Sequence, residues 1–173
     1  MIQKTGKTIH KMCISTVVLQ TVLQYLKKIK LKASIMPDLC CVNVGTKYSP
    51  EYVEKLYHSA KRHSTVNYDF VVITDNPAHY QHLDVKTIPV DMKNWNNPKQ
   101  GWWYKMYLFK PDLPIDNKVL YLDLDVVVVG NIDKFFDYKQ DCMCICQDFN
   151  RVTIPKYHVS NSSVMYFDRN QYT

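Results

Sequence analysis

Apolar runs of strand length alternate with more polar segments along the middle of this sequence. We predict strands at 38–45 (DLCCVNVG), 68–74 (YDFVVIT) and 85–90, each followed by a turn signal or a polar loop. Between the first two strands, Ser49 can cap a helix whose first position is Pro50. An apolar stripe at helical spacing follows it, formed by Val53, Leu56, Tyr57 and Ala60. Strands that alternate with helices predict a doubly wound, mostly parallel α/β sheet.

The stretch 119–130 (VLYLDLDVVVVG) is a near-continuous apolar run interrupted by Asp123 and Asp125. Such a run is typical of a central strand covered on both faces, and alternation would direct both aspartates to the same side. Because buried charges need a partner or a metal, we expect both where the strand leaves the sheet. There they could hold Mn²⁺ or Mg²⁺. The alternative is that both end a strand and meet solvent, or cap a following helix.

The segment LYLDLDVVVVGNIDKFF resembles the Asp-x-Asp segment of nucleotide-sugar glycosyltransferases of the GT-A fold. It is most similar to glycosyltransferase family 8 and its bacterial and viral relatives, and the resemblance extends over roughly residues 38–173. It implies a Rossmann-like sheet and metal-dependent transfer of a sugar from a nucleotide-diphosphate sugar, best a UDP-sugar. The acceptor would be an unknown glycan, protein or lipid, and the anomeric configuration would be retained. Asp125 would ligate the metal, while Asp123 would share it or bond the ribose.

The segment GWWYKMYLFK, just upstream, is also similar to these enzymes. We predict a helix over 102–110 that stops before Pro111. Its many aromatic residues would bury it between the sheet and a loop. In the resembled enzymes a basic residue on this helix faces the sugar-nucleotide site. Lys105 would therefore pair with a diphosphate oxygen or with one of the aspartates; the alternative is a lysine on the surface.

The loop after the first strand is the natural place for a nucleotide base and ribose in such a sheet. The donor-binding candidates there are Gly45, Thr46 and Tyr48. In the resembled family an aromatic ring often stacks on the uracil, a role that Tyr48 would fill. Asp75, after the second strand, could accept a hydrogen bond from base or ribose. The alternatives are an exposed loop tyrosine and an aspartate that starts a turn.

The segment VSNSSVMYF (159–167) resembles, in part, the family's Phe-Asn-Ser-Gly-Val segment, which lines the sugar-donor pocket. Asn161 and Ser162 would bond sugar hydroxyls, unless the segment is a polar turn. Family 8 enzymes usually complete the metal shell with a downstream histidine. Here His158 alone follows the aspartates, either as that third ligand or as an exposed loop histidine. Two carboxylates alone predict weak Mn²⁺ binding until nucleotide phosphates contribute oxygens.

The net charge of +6 is concentrated at one end of the chain. Residues 1–37 hold seven lysines and no acidic residue, whereas the remainder holds 15 Lys/Arg against 16 Asp/Glu. We therefore predict a basic N-terminal extension (1–37) and a nearly neutral glycosyltransferase domain (38–173). A domain without net positive charge is not expected to bind nucleic acid. The apolar run 12–26 is too short to span a membrane. It could lie on a membrane surface as an amphipathic helix, pack on the domain, or belong to a disordered tail.

Six cysteines lack the pair spacing of zinc ligands. Cys142, Cys144 and Cys146 alternate, which would place them on one strand face as a metal or redox cluster, or as buried free thiols, which we favour. The composition indicates a reducing, cytoplasmic location. Two other functions fit the pattern of paired aspartates on an α/β sheet: a nucleotidyltransferase, and a non-catalytic protein that binds sugar nucleotides.

Overall fold

The computed structural model describes residues 36–91, 101–115, 118–139 and 141–172. Within these residues, six strands form one sheet: β1 (Asp38–Asn43), β2 (Asp69–Thr74), β3 (Lys86–Pro89), β4 (Lys118–Leu122), β5 (Cys144–Gln147) and β6 (Ser160–Asp168). Two α-helices accompany it, α1 (Pro50–Arg62) and α2 (Asp133–Asp137). Four short 3₁₀ segments complete the described elements: Pro77–Tyr80, Gly101–Phe109, Phe149–Val152 and Arg169–Gln171.

The sheet has the order β3-β2-β1-β4-β6-β5. Strands β3, β2, β1 and β4 are parallel neighbours, and β6 runs antiparallel to both β4 and β5. The predicted α/β fold with a mostly parallel sheet is therefore confirmed. Because β4 and β5 run in the same direction as β1 to β3, the carboxyl ends of five strands lie at one edge.

The sheet is buried on both faces, which explains why its central strands are almost uniformly apolar. On β1, Leu39 and Cys41 belong to one apolar cluster, with Val53 and Leu56 of α1. Cys40 belongs to a second cluster on the other face. Burial raises the pKa of both adjacent thiols, so they remain protonated and act as small apolar side chains.

Strand β4 is much shorter than the apolar run that predicted it. The strand ends at Leu122, so Asp123 and Asp125 follow it where the chain leaves the sheet, as predicted. Asp123 extends the ladder by one further bond, from its N–H to the carbonyl of Ser163 (2.8 Å), and the chain then turns through a bond from Val126 N–H to Asp123 O (3.1 Å). The two aspartates thus follow the strand, because their carboxylates require polar partners that the sheet interior lacks.

The aromatic segment before β4 is a 3₁₀ helix, Gly101–Phe109, rather than the predicted α-helix. With three residues per turn, positions three apart share a face, and Tyr104 and Tyr107 are buried together with Leu108. Trp102 and Trp103 remain 59% and 52% exposed, so the expectation that most of the aromatic residues bury this segment is wrong for them.

The predictions for Cys142, Cys144 and Cys146, as buried thiols or as a metal cluster, are corrected by the structure. Cys142, just before β5, and Cys146 are exposed, and Cys144 is half-buried, so the prediction of buried free thiols is wrong; β5 is an edge strand of the sheet and leaves residues open to solvent. Within the described residues no group of three His, Cys, Asp or Glu side chains is placed to hold a metal, the cysteines included.

Residues 1–35 lie outside the described residues, so the predicted N-terminal extension and its membrane contact stay predictions. Residues from Met36 onward form one compact unit. Among the helices that the structure describes, none has both the length and the apolar character needed to cross a bilayer.

Candidate active site at the carboxyl edge of the sheet

Asp123 and Asp125 lie where β4 leaves the sheet, beside the carboxyl end of β1. Together with Lys105 and Tyr48 they line a cavity of about 230 Å³. The wall is completed by Val42, Asn43, Val44, Lys47, Gly101, Trp102, Tyr121 and Leu124. The sequence-predicted carboxylates and the predicted lysine therefore meet at one site, although they come from separate elements.

Lys105 is paired with the first aspartate. Its ammonium group lies 3.0 Å from Oδ1 and 3.2 Å from Oδ2 of Asp123, and 3.0 Å from Oγ of Ser162. The lysine side chain is only 12% exposed, so the surface alternative is wrong. A charge-assisted bond at this burial is stronger than an exposed ion pair, because less water competes for the ammonium group.

The 3₁₀ segment that carries Lys105 is held at its end by a buried arginine, Arg169, which directly follows β6. Arg169 donates from Nε to the carbonyl of Leu108 (3.0 Å) and from its terminal nitrogens to the carbonyls of Lys110 (2.6 Å) and Ile115 (3.2 Å). These carbonyls lie at and beyond the end of the 3₁₀ segment, where no helical partner is available to them. The bonds hold the segment against β6.

Tyr121 is a second partner of Asp123. Its hydroxyl group donates to Asp123 Oδ1 at 2.5 Å, and its ring lies 5.3 Å from the Lys105 ammonium group. Burial raises the pKa of Tyr121 well above its ordinary value, and the negative charge of Asp123 raises it further. The hydroxyl therefore stays protonated and available as a donor.

Asp125 contacts the loop that follows β1. The hydroxyl group of Tyr48 donates to its Oδ2 at 2.9 Å. The ammonium group of Lys47 lies 4.6 Å from the centre of the Tyr48 ring. Interaction with Tyr48 raises the pKa of Lys47, and the negative charges of Asp125 and Asp123 contribute further. A second cation thus faces the carboxylates.

A neighbouring cavity of about 360 Å³ is lined by the other predicted donor-binding residues, Gly45, Thr46 and Asp75. It shares Asn43 and Tyr48 with the first cavity. Gly45 has a φ of +80°, which glycine adopts without strain, and its N–H donates to Asp75 Oδ2 at 3.0 Å. Asp75 therefore lines the cavity and holds the loop in place through one of its carboxylate oxygens.

The two predicted sugar-binding residues have different surroundings, and their contacts with a sugar stay predictions. Ser162 joins the site through Lys105, whereas Asn161 Oδ1 accepts the N–H of Ser163 at 2.8 Å. Both lie on β6, so the alternative of a polar turn is wrong. His158 is exposed and lines a separate concavity, so its role as a third metal ligand has no geometric support here.

Three residues that line the cavity were not singled out from the sequence. Tyr121 stands two positions before Asp123, and the strand alternation that related the two aspartates to each other also places Tyr121 on the side of Asp123. Lys47 lies beside Tyr48 in a loop already assigned to the nucleotide. Nothing in the sequence near Asn43 indicates a role in the site, because its hydrogen bond to the Tyr80 hydroxyl (2.7 Å) joins positions 37 residues apart.

The donor set suits a hard divalent cation only in part. Carboxylate oxygens are the ligands that Mg²⁺ and Mn²⁺ prefer, and Asp123 and Asp125 supply two carboxylates. The charge of Asp123 is, however, already balanced by Lys105. The pair therefore fits a cation that takes much of its remaining shell from water or from a bound phosphate.

No protein-family model matches the chain, and no curated protein matches it significantly. Solved structures do match. The apo form of glycosyltransferase GlyE from Streptococcus pneumoniae TIGR4 is 16% identical with a TM-score of 0.57, over 79% of this chain and 35% of GlyE. The apo form of mouse xyloside xylosyltransferase 1 is 14% identical with a TM-score of 0.50, over 79% of this chain and 68% of that one. The bifunctional glycosyltransferase WbbM is 12% identical with a TM-score of 0.54, over 79% of this chain and 32% of WbbM.

These similarities establish the fold as the GT-A-like, Rossmann-type fold of glycosyltransferases. The chain spans about a third of the length of GlyE and of WbbM. The more specific resemblance to family 8 stays a prediction.

Proposed function

We propose that this chain forms the donor-binding part of a metal-dependent glycosyltransferase that uses a nucleotide-diphosphate sugar, best a UDP-sugar. The observation that carries the proposal is the meeting of Asp123 and Asp125 with Lys105 around one cavity at the carboxyl edge of the sheet. The fold similarity to three glycosyltransferases supports it. Ligands of open α/β sheets bind at this edge, beyond the carboxyl ends of the strands.

The charges of the cavity suit a diphosphate. Lys105 and Lys47 provide two cations, and Asp125 keeps one carboxylate oxygen that makes no bond to a described residue. Asp125, with Asp123 beside it, would hold Mn²⁺ or Mg²⁺, which neutralises charge on a departing nucleoside diphosphate when bound. Lys105 would keep its place against Asp123 or turn to a phosphate oxygen; either position puts positive charge where the leaving group develops negative charge.

The neighbouring cavity would take the nucleoside. Its lining combines Tyr48 with the polar residues Asp75, Asn43 and Asn76. An aromatic face and a few fixed polar groups are the combination that binds a base and a ribose. We include retention of the anomeric configuration because the family resemblance implies it. We name no side chain as a nucleophile.

A panel of UDP-sugars incubated with the protein and Mn²⁺ tests the proposal. We expect release of UDP, from slow hydrolysis or transfer, that depends on Mn²⁺ and is lost in Asp125→Asn. The matched control, Asp84→Asn, removes an exposed carboxylate away from the cavity and should keep the wild-type rate. Release of pyrophosphate from a nucleoside triphosphate and a sugar phosphate would instead identify a nucleotidyltransferase.

A non-catalytic sugar-nucleotide-binding protein is the second candidate. It is favoured by the ion pair between Lys105 and Asp123, which engages one of the two carboxylates that a catalytic metal would use. Binding of UDP-sugars without release of UDP from any donor, in the presence of Mn²⁺ and candidate acceptors, would establish this second function.

A further inference from the structure

The loop between β5 and β6 leaves the sheet at the same edge as the candidate active site. Gln147 at the end of β5 pairs with Ser160 at the start of β6, and Val164 of β6 pairs with Leu122, the last residue of β4. Residues 148–159, called the edge loop below, therefore project from the edge that also carries Asp123.

The edge loop has a fixed backbone. The carboxylate of Asp148 accepts the N–H of Asn150 at 2.8 Å, and the N–H of Asp148 donates to the carbonyl of Val159 at 3.0 Å. The carbonyl of Asn150 accepts bonds from the N–H groups of Thr153 (3.0 Å) and Ile154 (2.8 Å). The positions of its side chains are thus set by a folded turn.

This folded loop exposes large apolar side chains. Phe149 is 74% exposed and Val152 is 83% exposed, and two further apolar residues, Ile154 and Val159, are about half exposed. A cluster of apolar side chains in water is unfavourable, since each buried Å² of apolar surface is worth about 25 cal/mol. Such clusters mark surfaces that contact a partner or a membrane.

The charges of the loop narrow the choice of partner. Arg151, Lys156 and His158 line a concavity of about 380 Å³, together with Gln147, Val152 and Tyr157. The single acidic residue of the loop, Asp148, accepts the N–H of Asn150, and no further acidic residue occurs in the sequence from Phe149 to Phe167. Basic residues interleaved with exposed apolar ones, with little acidic charge, are typical of segments that insert at the interface of an anionic membrane.

We propose that the edge loop docks this domain on an anionic lipid surface. Phe149 and Val152 enter the interface, while Arg151 and Lys156 pair with lipid phosphates. The docking does not require glycosyl transfer. If the proposed function also holds, the donor cavity opens beside the membrane, and the acceptor is presented there.

Vesicle co-sedimentation of the full chain tests this inference without any sugar nucleotide present, so its failure is separate from a failure of the proposed function. The vesicles contain equal parts of phosphatidylglycerol and phosphatidylcholine, or phosphatidylcholine alone. We expect binding to the anionic vesicles and little to the neutral ones. Since each basic residue near an anionic surface contributes roughly fivefold to the affinity, Arg151→Gln/Lys156→Gln should bind about 30-fold more weakly.

The apolar variant Phe149→Ser/Val152→Ser should also lose most of the binding while keeping its charge. The matched control, Lys55→Gln/Lys61→Gln on α1, removes the same charge from another exposed surface and should stay within about threefold of the wild type. Circular dichroism confirms that all variants fold. Wild-type binding by both loop variants, an equal loss in the control, or absence of binding by the wild type to the anionic vesicles would overturn the inference.

Discussion

The ammonium group of Lys105 lies 3.0 Å from Oδ1 of Asp123, although Lys105 precedes β4 in the sequence and Asp123 follows it. The contact places a positive charge against the first of the two aspartates before any ligand enters. A divalent cation that approaches Asp123 must therefore compete with the lysine. Asp125 makes no such ion pair among the described residues, which makes it the stronger candidate for a direct ligand.

Lys105→Met should change metal binding and turnover in opposite directions. Without the ammonium group, Mn²⁺ binding to the free protein should rise about tenfold from the negligible level of the wild type, because a nearby positive charge is removed. Turnover of a UDP-sugar should fall, because the cation that faces the leaving diphosphate is lost. Calorimetry and a UDP-release assay measure the two effects. Lys110→Met, at an exposed position just beyond the same 3₁₀ segment, is the control; weaker Mn²⁺ binding in Lys105→Met would contradict the competition.

Tyr48 can serve the site through its ring or through its hydroxyl group, and two variants separate these roles. Tyr48→Phe removes the bond to Asp125 but keeps the ring, so the affinity for UDP should stay within about threefold. Tyr48→Ala should weaken UDP binding by roughly 1–3 kcal/mol, the usual contribution of one stacked base. Tyr52→Ala, which removes the neighbouring ring at 4.9 Å, controls for general loss of packing. Equal losses in the Phe and Ala variants would show that the hydroxyl, not stacking, matters.

Asp133 should make the domain sensitive to acid. Its carboxylate accepts bonds from the hydroxyl groups of Ser64 and Thr65, both at 2.6 Å, and from Asn131, and these bonds lower its pKa. A folded-state pKa below the unfolded value means that the contribution to stability is present above about pH 4 and is lost as the pH falls below it.

Asp133→Asn should therefore unfold at lower urea concentration than the wild type at pH 7, and the gap should close toward pH 2. Asp137→Asn on the same helix, α2, should not differ from the wild type in this way. A gap of constant size across this pH range would show that the ionised form of Asp133 is not what stabilises the fold.

Some parts of this structure could be predicted from the sequence because local rules determine them. Strands β1 and β2 follow from their apolar runs, and α1 from its cap and stripe. The position of Asp123 and Asp125 beyond β4 follows from the cost of burying a charge. Each of these inferences needs only neighbouring residues.

Other parts depend on contacts between distant residues. The pairing of β6 with β4 places Ser162 beside Lys105, and nothing local to either residue indicates it. The end of the 3₁₀ segment 101–109 is held by Arg169, which bonds the carbonyls of Leu108 and Lys110 across about 60 positions of sequence. The exposure of Phe135 (40%) beside the buried Phe136 (4%) is likewise decided by which neighbours the short helix α2 finds.

Calorimetric titration of Mn²⁺ into the full chain, with and without UDP, tests the central claim most directly. The free protein has one carboxylate engaged by Lys105 and few further oxygen ligands, so we expect negligible Mn²⁺ binding without nucleotide. With UDP present, phosphate oxygens complete the shell, and we expect clear binding that Asp125→Asn abolishes. Tight binding without UDP that disappears in His158→Ala would contradict the account, because it would make His158 a third ligand and the site complete before the nucleotide enters.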